Sequence, residues 1–161
     1  KLTIQKLLFM SFSKKIIGFD TFGKFPQTKF KEDVKSRKQF ISDTGGESIS
    51  KEQLFKVLSH KQIDHLIELV KGDITKTVPN YVKTHPELRI SLLNIDVDIY
   101  EPVVTILKYL YPRVVKGGII MLDDYGVFPG ETKAVEEYFA EQDVKIEKSP
   151  YSMTPAYIIK S

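Results

Sequence analysis

The chain has no Cys and no Trp, only 3 His and 3 Met, and just 9 Gly and 8 Pro in 161 residues. Without Cys there is no disulfide scaffold, and so little Gly and Pro excludes a collagen-like repeat. Charge of one sign is also lacking: Lys and Arg number 24 against 21 Asp and Glu, which leaves a net charge of +3. The positive residues are interspersed with negative ones, a balance that does not argue for nucleic acid. Even the densest basic stretch, Lys24, Lys29, Lys31, Lys35, Arg37 and Lys38, is interrupted by Glu32 and Asp33. It reads as a solvated loop rather than a phosphate-tracking patch. Long apolar runs are missing too, since Ile4 to Phe12 and Ile119 to Leu122 fall far short of the ~20 residues that span a bilayer. The N-terminal residues, with Gln5, Lys6, Lys14 and Lys15, offer no clean apolar region or cleavage site of a secretory signal. No membrane partner is expected, and the expected location is cytoplasmic. No internal repeat, low-complexity segment or linker is found, and neither GxGxxG nor GxxxxGK[ST] occurs.

What is there suits one compact α/β domain over 1–161, with 42% hydrophobic residues and enough length to bury roughly 68–70% of the unfolded surface. Because the chain opens on Lys1 rather than Met, it is expected to be a piece of something longer. Strand-like apolar runs alternate with amphipathic segments, the pattern of a parallel sheet with crossover helices. The spacing of Leu2, Ile4, Leu7, Leu8 and Phe12 predicts a helix over 2–12. Strands are predicted at 15–19, 67–70, 90–95, 119–122, 144–147 and 156–159, and helices at 51–58, 75–84, 101–111 and 131–141. Ser50 with Gln53 forms a capping-box pattern, and Pro102 suits the first turn of its helix. Gly117-Gly118 reads as the break between a helix and the following strand, and the polar segment 27–50 reads as a long loop-like excursion.

Parallel strands deliver their next residues to one edge, where ligands bind. Four strand runs end there in acids: Asp20, Asp73, Asp96 with Asp98, and Asp123 with Asp124. Several carboxylates crowded at one edge repel unless a cation joins them, and an all-oxygen ligand set favours Mg²⁺ or another hard divalent cation. The competing reading is that these acids cap the following helices, Asp98 above the helix over 101–111, or form turns, as for Asp20 and Asp73. Tyr100 and Tyr125 follow the acidic clusters and are candidates for lining a substrate pocket. His60, His65 and His85 show no metal spacing and suit surface or packing roles.

These residues also carry a resemblance. Gly18-Phe19-Asp20-Thr21-Phe22, Lys71-Gly72-Asp73, Asn94-Ile95-Asp96-Val97-Asp98-Ile99-Tyr100-Glu101-Pro102 and Asp123-Asp124-Tyr125-Gly126 with Pro129-Gly130-Glu131-Thr132 resemble the macrocin O-methyltransferase family of class I S-adenosylmethionine-dependent methyltransferases. The resemblance implies a doubly wound, mostly parallel α/β sheet with helices on both faces, Rossmann-like, its last strand antiparallel. It implies methyl transfer from S-adenosylmethionine to a hydroxyl of a small molecule, a sugar or glycosylated natural product, assisted by Mg²⁺. Asp20 with Thr21 and Phe22, Asp73 with Ile74, and Asp96 match cofactor-binding positions. Asp96, Asp123 and Asp124 match the metal-binding acids, with Asp98 a support or additional ligand, and Asp96 also stands as a catalytic residue. Relatives place a first strand and a Gly-containing loop before the helix that 2–12 matches, and this part is missing here. Relatives draw their base, a His, from a segment that in this chain has none, which leaves His60, His65 or the metal alone for that role. A homodimer is compatible with this reading. A non-catalytic module of the same fold and a metal-dependent phosphoryl-transfer domain are the alternatives.

Overall fold

The computed structural model describes residues 14–161, so the helix expected over 2–12 lies outside the described residues. Strand β1 (Ile16–Asp20) pairs in parallel with β2 (Ile67–Lys71), Ile16 opposite Ile67 and Asp20 opposite Lys71. A second group has the order β3-β4-β6-β5. Its strands are β3 (Ile90–Ile95), β4 (Val114–Leu122), β5 (Glu147–Lys148) and β6 (Ala156–Ile159). β3 and β4 run parallel, while β6 is antiparallel to both β4 and β5. The mostly parallel α/β architecture with an antiparallel last strand is therefore as expected.

Helices α1 (Lys31–Thr44) and α2 (Lys51–His60) lie between β1 and β2. α3 (Ile74–Thr84) follows β2, α4 (Tyr100–Tyr109) follows β3, and α5 (Pro129–Phe139) follows β4. The period-2 pattern of the strands points Leu93 and Ile95 of β3, Ile120 and Leu122 of β4, and Ala156 and Ile158 of β6 into one core. Against them pack Val78 of α3, Val103 and Leu107 of α4, and Val135 of α5. Ile95, Leu107, Ile120 and Leu122 are wholly buried, each worth ~2 kcal/mol of transfer from water. In register on the opposite face of the sheet, Leu92, Ile119 and Ile159 are exposed. No helix among the described residues is long and apolar enough to cross a membrane.

Several expectations need correction. The excursion 27–50 is not all loop, because it contains the 14-residue helix α1. Its inward face holds Asp33, Arg37, Phe40 and Ile41, too polar to show hydrophobic periodicity. Arg37 points back to the carbonyls of Pro26 (2.5 Å) and Phe25 (3.0 Å), and Gly45 closes the helix in the left-handed region at φ 91°. Gly117 and Gly118 lie inside β4 rather than before it, beside a register shift between Ile90 and Leu92 of β3. The helix expected over 101–111 ends at Tyr109 and gives way to a single tight turn, Tyr111–Arg113. The helix expected over 131–141 starts instead at Pro129, a residue suited to a first helical turn, and the strand expected over 144–147 is only Glu147–Lys148.

Candidate functional site

The parallel strands bring their carboxyl ends to one edge, and a cavity of about 360 Å³ opens there. Asp20, Thr21, Asp73, Ile74, Asp96 and Asp98 line its strand side, and Phe25, Phe40 and Thr44 line the side toward α1. Asp20 ends β1 and accepts a hydrogen bond from the Phe22 N–H, which makes it a turn-forming residue as well as a wall residue. Phe22, at φ 48°, is buried beneath this turn and is not among the cavity residues. Asp73 is the N-cap of α3, accepting from the Thr75 N–H (2.9 Å) and hydroxyl (2.7 Å). The Thr75 hydroxyl bond outweighs partial burial and holds the Asp73 carboxyl below its ordinary range, so the residue is anionic at the cavity wall.

Asp96, Asp98 and Asp124 each offer a carboxylate oxygen, and the three oxygens lie within 4.8 Å of one another. Asp98 does not cap α4. The N-cap of that helix is Ile99, without a side-chain bond, and Asp98 instead turns the chain at φ 60°. Loss of solvent, then a hydrogen bond with Asp124 and the charges of Asp124, Asp96 and Asp123, raise the Asp98 pKa. Asp96 still reaches water, but partial desolvation followed by the charges of Asp123, Asp124 and Asp20 raises it too. Asp123 extends the β3–β4 ladder through its N–H to the Ile95 carbonyl (3.0 Å), and its carboxylate adds charge beside the trio without belonging to it. No Lys, Arg or His among the described residues forms an ion pair with this trio, so the charges it carries repel one another. All-oxygen donors at this spacing fit a hard divalent cation, and the acids around the cavity fit a ligand rich in hydroxyl groups.

The remaining candidates are placed elsewhere. His60 ends α2 and His65 sits in the turn before β2, both exposed. His65 therefore lies at the opposite end of that strand from Asp73, and neither His is brought to the cavity. His85 stacks on Tyr81 at 4.0 Å, a packing role. Tyr100 is turned away from the cavity, stacked on Phe30 (5.1 Å) and donating to Glu137 (2.6 Å). Tyr125 packs under Lys148, whose Nζ lies 5.4 Å from the ring centre, and is also not a cavity residue.

Sequence reasoning missed two fully buried acids, Asp33 and Glu131. Glu131 accepts the Asp124 N–H (3.1 Å) through Oε1, while its Oε2 is buried with no hydrogen-bond partner among the described residues. Burial first, then the charges of Asp124, Asp98 and Asp123, outweigh that one hydrogen bond and push its carboxyl up to about 8. Its signal was its place in Phe128-Pro129-Gly130-Glu131, in the first turn of α5. Asp33 had no signal, because it lies among exposed charges of the same helix.

This arrangement of strands and helices is that of the class I methyltransferases. The solved O-methyltransferase NovP superposes with a TM-score of 0.77 at 23% identity, over 92% of this chain and 61% of that one. CalS11, a calicheamicin methyltransferase, superposes with a TM-score of 0.70 at 29% identity, over 90% and 60%. The macrocin-O-methyltransferase (TylF) family model matches residues 10–155, and the chain belongs to that family. It is 34% identical over 82 residues to the demethyldecarbamoylnovobiocin O-methyltransferase of Streptomyces niveus, across 51% of this chain and 30% of that protein. To the mycinamicin III 3''-O-methyltransferase of Micromonospora griseorubida it is 33% identical over 76 residues, 47% of this chain and 28% of that protein. The matches thus take in under a third of either curated relative.

Proposed function

We propose that this chain carries the acidic edge of an S-adenosylmethionine-dependent O-methyltransferase whose acceptor is a hydroxyl of a sugar or glycosylated small molecule. The observation that carries the reading is the convergence of Asp96, Asp98 and Asp124 beside a cavity whose strand side also holds Asp20 and Asp73. Membership of the family supports it, as do relatives named as O-methyltransferases of demethyldecarbamoylnovobiocin and mycinamicin III and the description of CalS11 as a TDP-rhamnose 3'-O-methyltransferase. Asp20 and Asp73 stand at the ends of neighbouring strands, where carboxylates bind the hydroxyls of a nucleoside. Asp96, Asp98 and Asp124 would hold Mg²⁺ or another divalent cation, with Asp123 adding negative charge. A bound dication lowers the pKa of an alcohol and fixes it for attack, which supplies what the exposed, distant His60 and His65 do not. Phe25 and Phe40 give the acceptor side an apolar wall, suited to the faces of a sugar ring.

The test is a calorimetric titration of S-adenosylhomocysteine into the chain with Mg²⁺ present, followed by methyl transfer to glycosylated acceptors with and without chelator. Micromolar binding and chelator-sensitive transfer are expected. Transfer unchanged in chelator would remove the metal from the reading. Absence of heat would make this chain, by itself, a non-catalytic module of the fold.

A further inference from the structure

One buried carboxylate joins α1 to both acidic turns. Asp33, in the first turn of α1, is wholly buried. Its Oδ2 accepts the Tyr100 N–H (2.9 Å) and its Oδ1 accepts the Gly130 N–H (2.7 Å). Tyr100 opens α4 just beyond Asp98, and Gly130 lies in the first turn of α5, beyond Asp124. The first N–H groups of a helix have no partner within it, and the helix dipole favours an anion there. Asp33 meets this need for two helices with one side chain. Gly130 is required to be small, since a Cβ there would run into the Asp33 carboxylate.

The tie is returned from the other side. Glu101 of α4 accepts the Lys29 N–H (2.6 Å) and the Thr28 hydroxyl (2.9 Å), immediately ahead of α1. Burial works to raise the Glu101 pKa, but these bonds outweigh it and hold the carboxyl below its ordinary range. Glu131 bridges the acidic turns, its N–H donating to the Asp98 carbonyl (3.2 Å) across to the first and its Oε1 accepting the Asp124 N–H (3.1 Å) within the second. The spacing of Asp98 and Asp124 and the seat of the Phe40 wall thus depend on the same few groups.

We propose that Asp33 is a positioning residue, which sets the spacing of the Asp98 and Asp124 turns and docks the α1 wall against them. Its effect on metal affinity rests on the reading of that edge as a cation site. Its effect on the two turns does not. Asn in its place keeps one acceptor and turns an NH₂ toward one of the two amides, so one bond is lost and a donor faces a donor. Ala at Gly130 leaves the carboxylate charged but displaces it.

The test compares the whole chain with Asp33→Asn and Gly130→Ala by amide hydrogen exchange without metal and by Mn²⁺ titration. Exchange across 96–101 and 123–131 is expected to quicken about tenfold more than at Leu93 and Ile120, because the turn amides lose their own acceptor, and Mn²⁺ affinity is expected to fall about tenfold or more, as it does when supports of a metal ligand are removed. Unchanged exchange at both turns would overturn the proposal. So would a loosening of Leu93 and Ile120 by the same factor, which would make Asp33 a general stability group. Unchanged Mn²⁺ affinity in variants of a chain that binds the ion would also count against it. If the unsubstituted chain fails to bind Mn²⁺ but the exchange pattern appears, the cation reading falls and the role of Asp33 in holding the turns stands. Gly130→Ala brings its Cβ against the Tyr100 backbone nitrogen as well, so should either variant not fold, Asp33→Ser, which keeps one acceptor and adds no bulk, gives the same readouts.

Discussion

Asp98 combines two costs, a left-handed backbone at φ 60° and a carboxylate crowded by Asp96, Asp123 and Asp124. Asn tolerates the left-handed region and removes the charge. Asp98→Asn is therefore expected to raise the metal-free melting temperature by about 2–4 °C, the shift that ~1 kcal/mol gives in a domain of this size. On the proposed reading of the edge as a cation site it should also reduce the further rise expected with Mg²⁺; thermal scans with Mg²⁺ and with chelator check both. Glu68 supplies the pH test. Its carboxylate accepts from Lys15 (2.5 Å) and the Tyr81 hydroxyl (2.9 Å), and the Lys15 bond chiefly holds its pKa below the ordinary 4.5. A depressed carboxyl contributes stability that is complete above its unfolded pKa and lost as pH falls through its folded one. Glu68→Gln should thus melt lower than the unsubstituted chain at neutral pH, by no more than about 1 kcal/mol given the exposure of Lys15, and the two should converge in acid. At this scale the acids at the strand ends were legible in the sequence, because each follows an apolar run. Asp33 was not, since a buried carboxylate bonded to distant backbone amides leaves no local pattern.

Among the elements, α2 is the one that depends most on its own ends. None of its residues is buried, so little packing holds it. The Ser50 hydroxyl accepts the Gln53 N–H (3.1 Å) and the Gln53 side chain accepts the Ser50 N–H (2.8 Å), a complete capping box. Ser50→Ala should cost the helix about 1 kcal/mol, seen as faster amide exchange from Leu54 to Leu58 with no change in Mn²⁺ binding. This helix was readable from the sequence for the same reason that it is sensitive to that change, because its signal is local. α1 was unreadable because its inward face is polar. The strand β4 was read too short because Gly117 and Gly118 look like a break, whereas in the sheet they accompany a register shift.

On the scale of the whole molecule, the described strands form two hydrogen-bonded groups, β1-β2 and β3-β4-β6-β5. No residue of β1 or β2 is fully buried, and Phe19 of β1 reaches α3 through an edge-on contact with Tyr81 at 5.2 Å. In the larger group Ile95, Ile120 and Leu122 have no exposure at all. Amides at Phe19 and Val70 should therefore exchange through local openings, while those of Leu93 and Ile120 exchange only when the whole domain unfolds. Equal protection in both groups would show a single cooperative unit instead. The alternating pattern made the fold class legible, while the register of each pairing between distant strands is written in no single segment. The bonds that seat α1 have a consequence for how such a chain changes over generations. Asp33 and Glu101 grip backbone amides, and only Thr28 adds a side-chain donor. Phe25, Phe40 and Thr44, which face the cavity, take no part in that grip. Substitutions there leave those bonds in place, so the shape of the cavity can change over generations while the spacing of the acidic edge is kept.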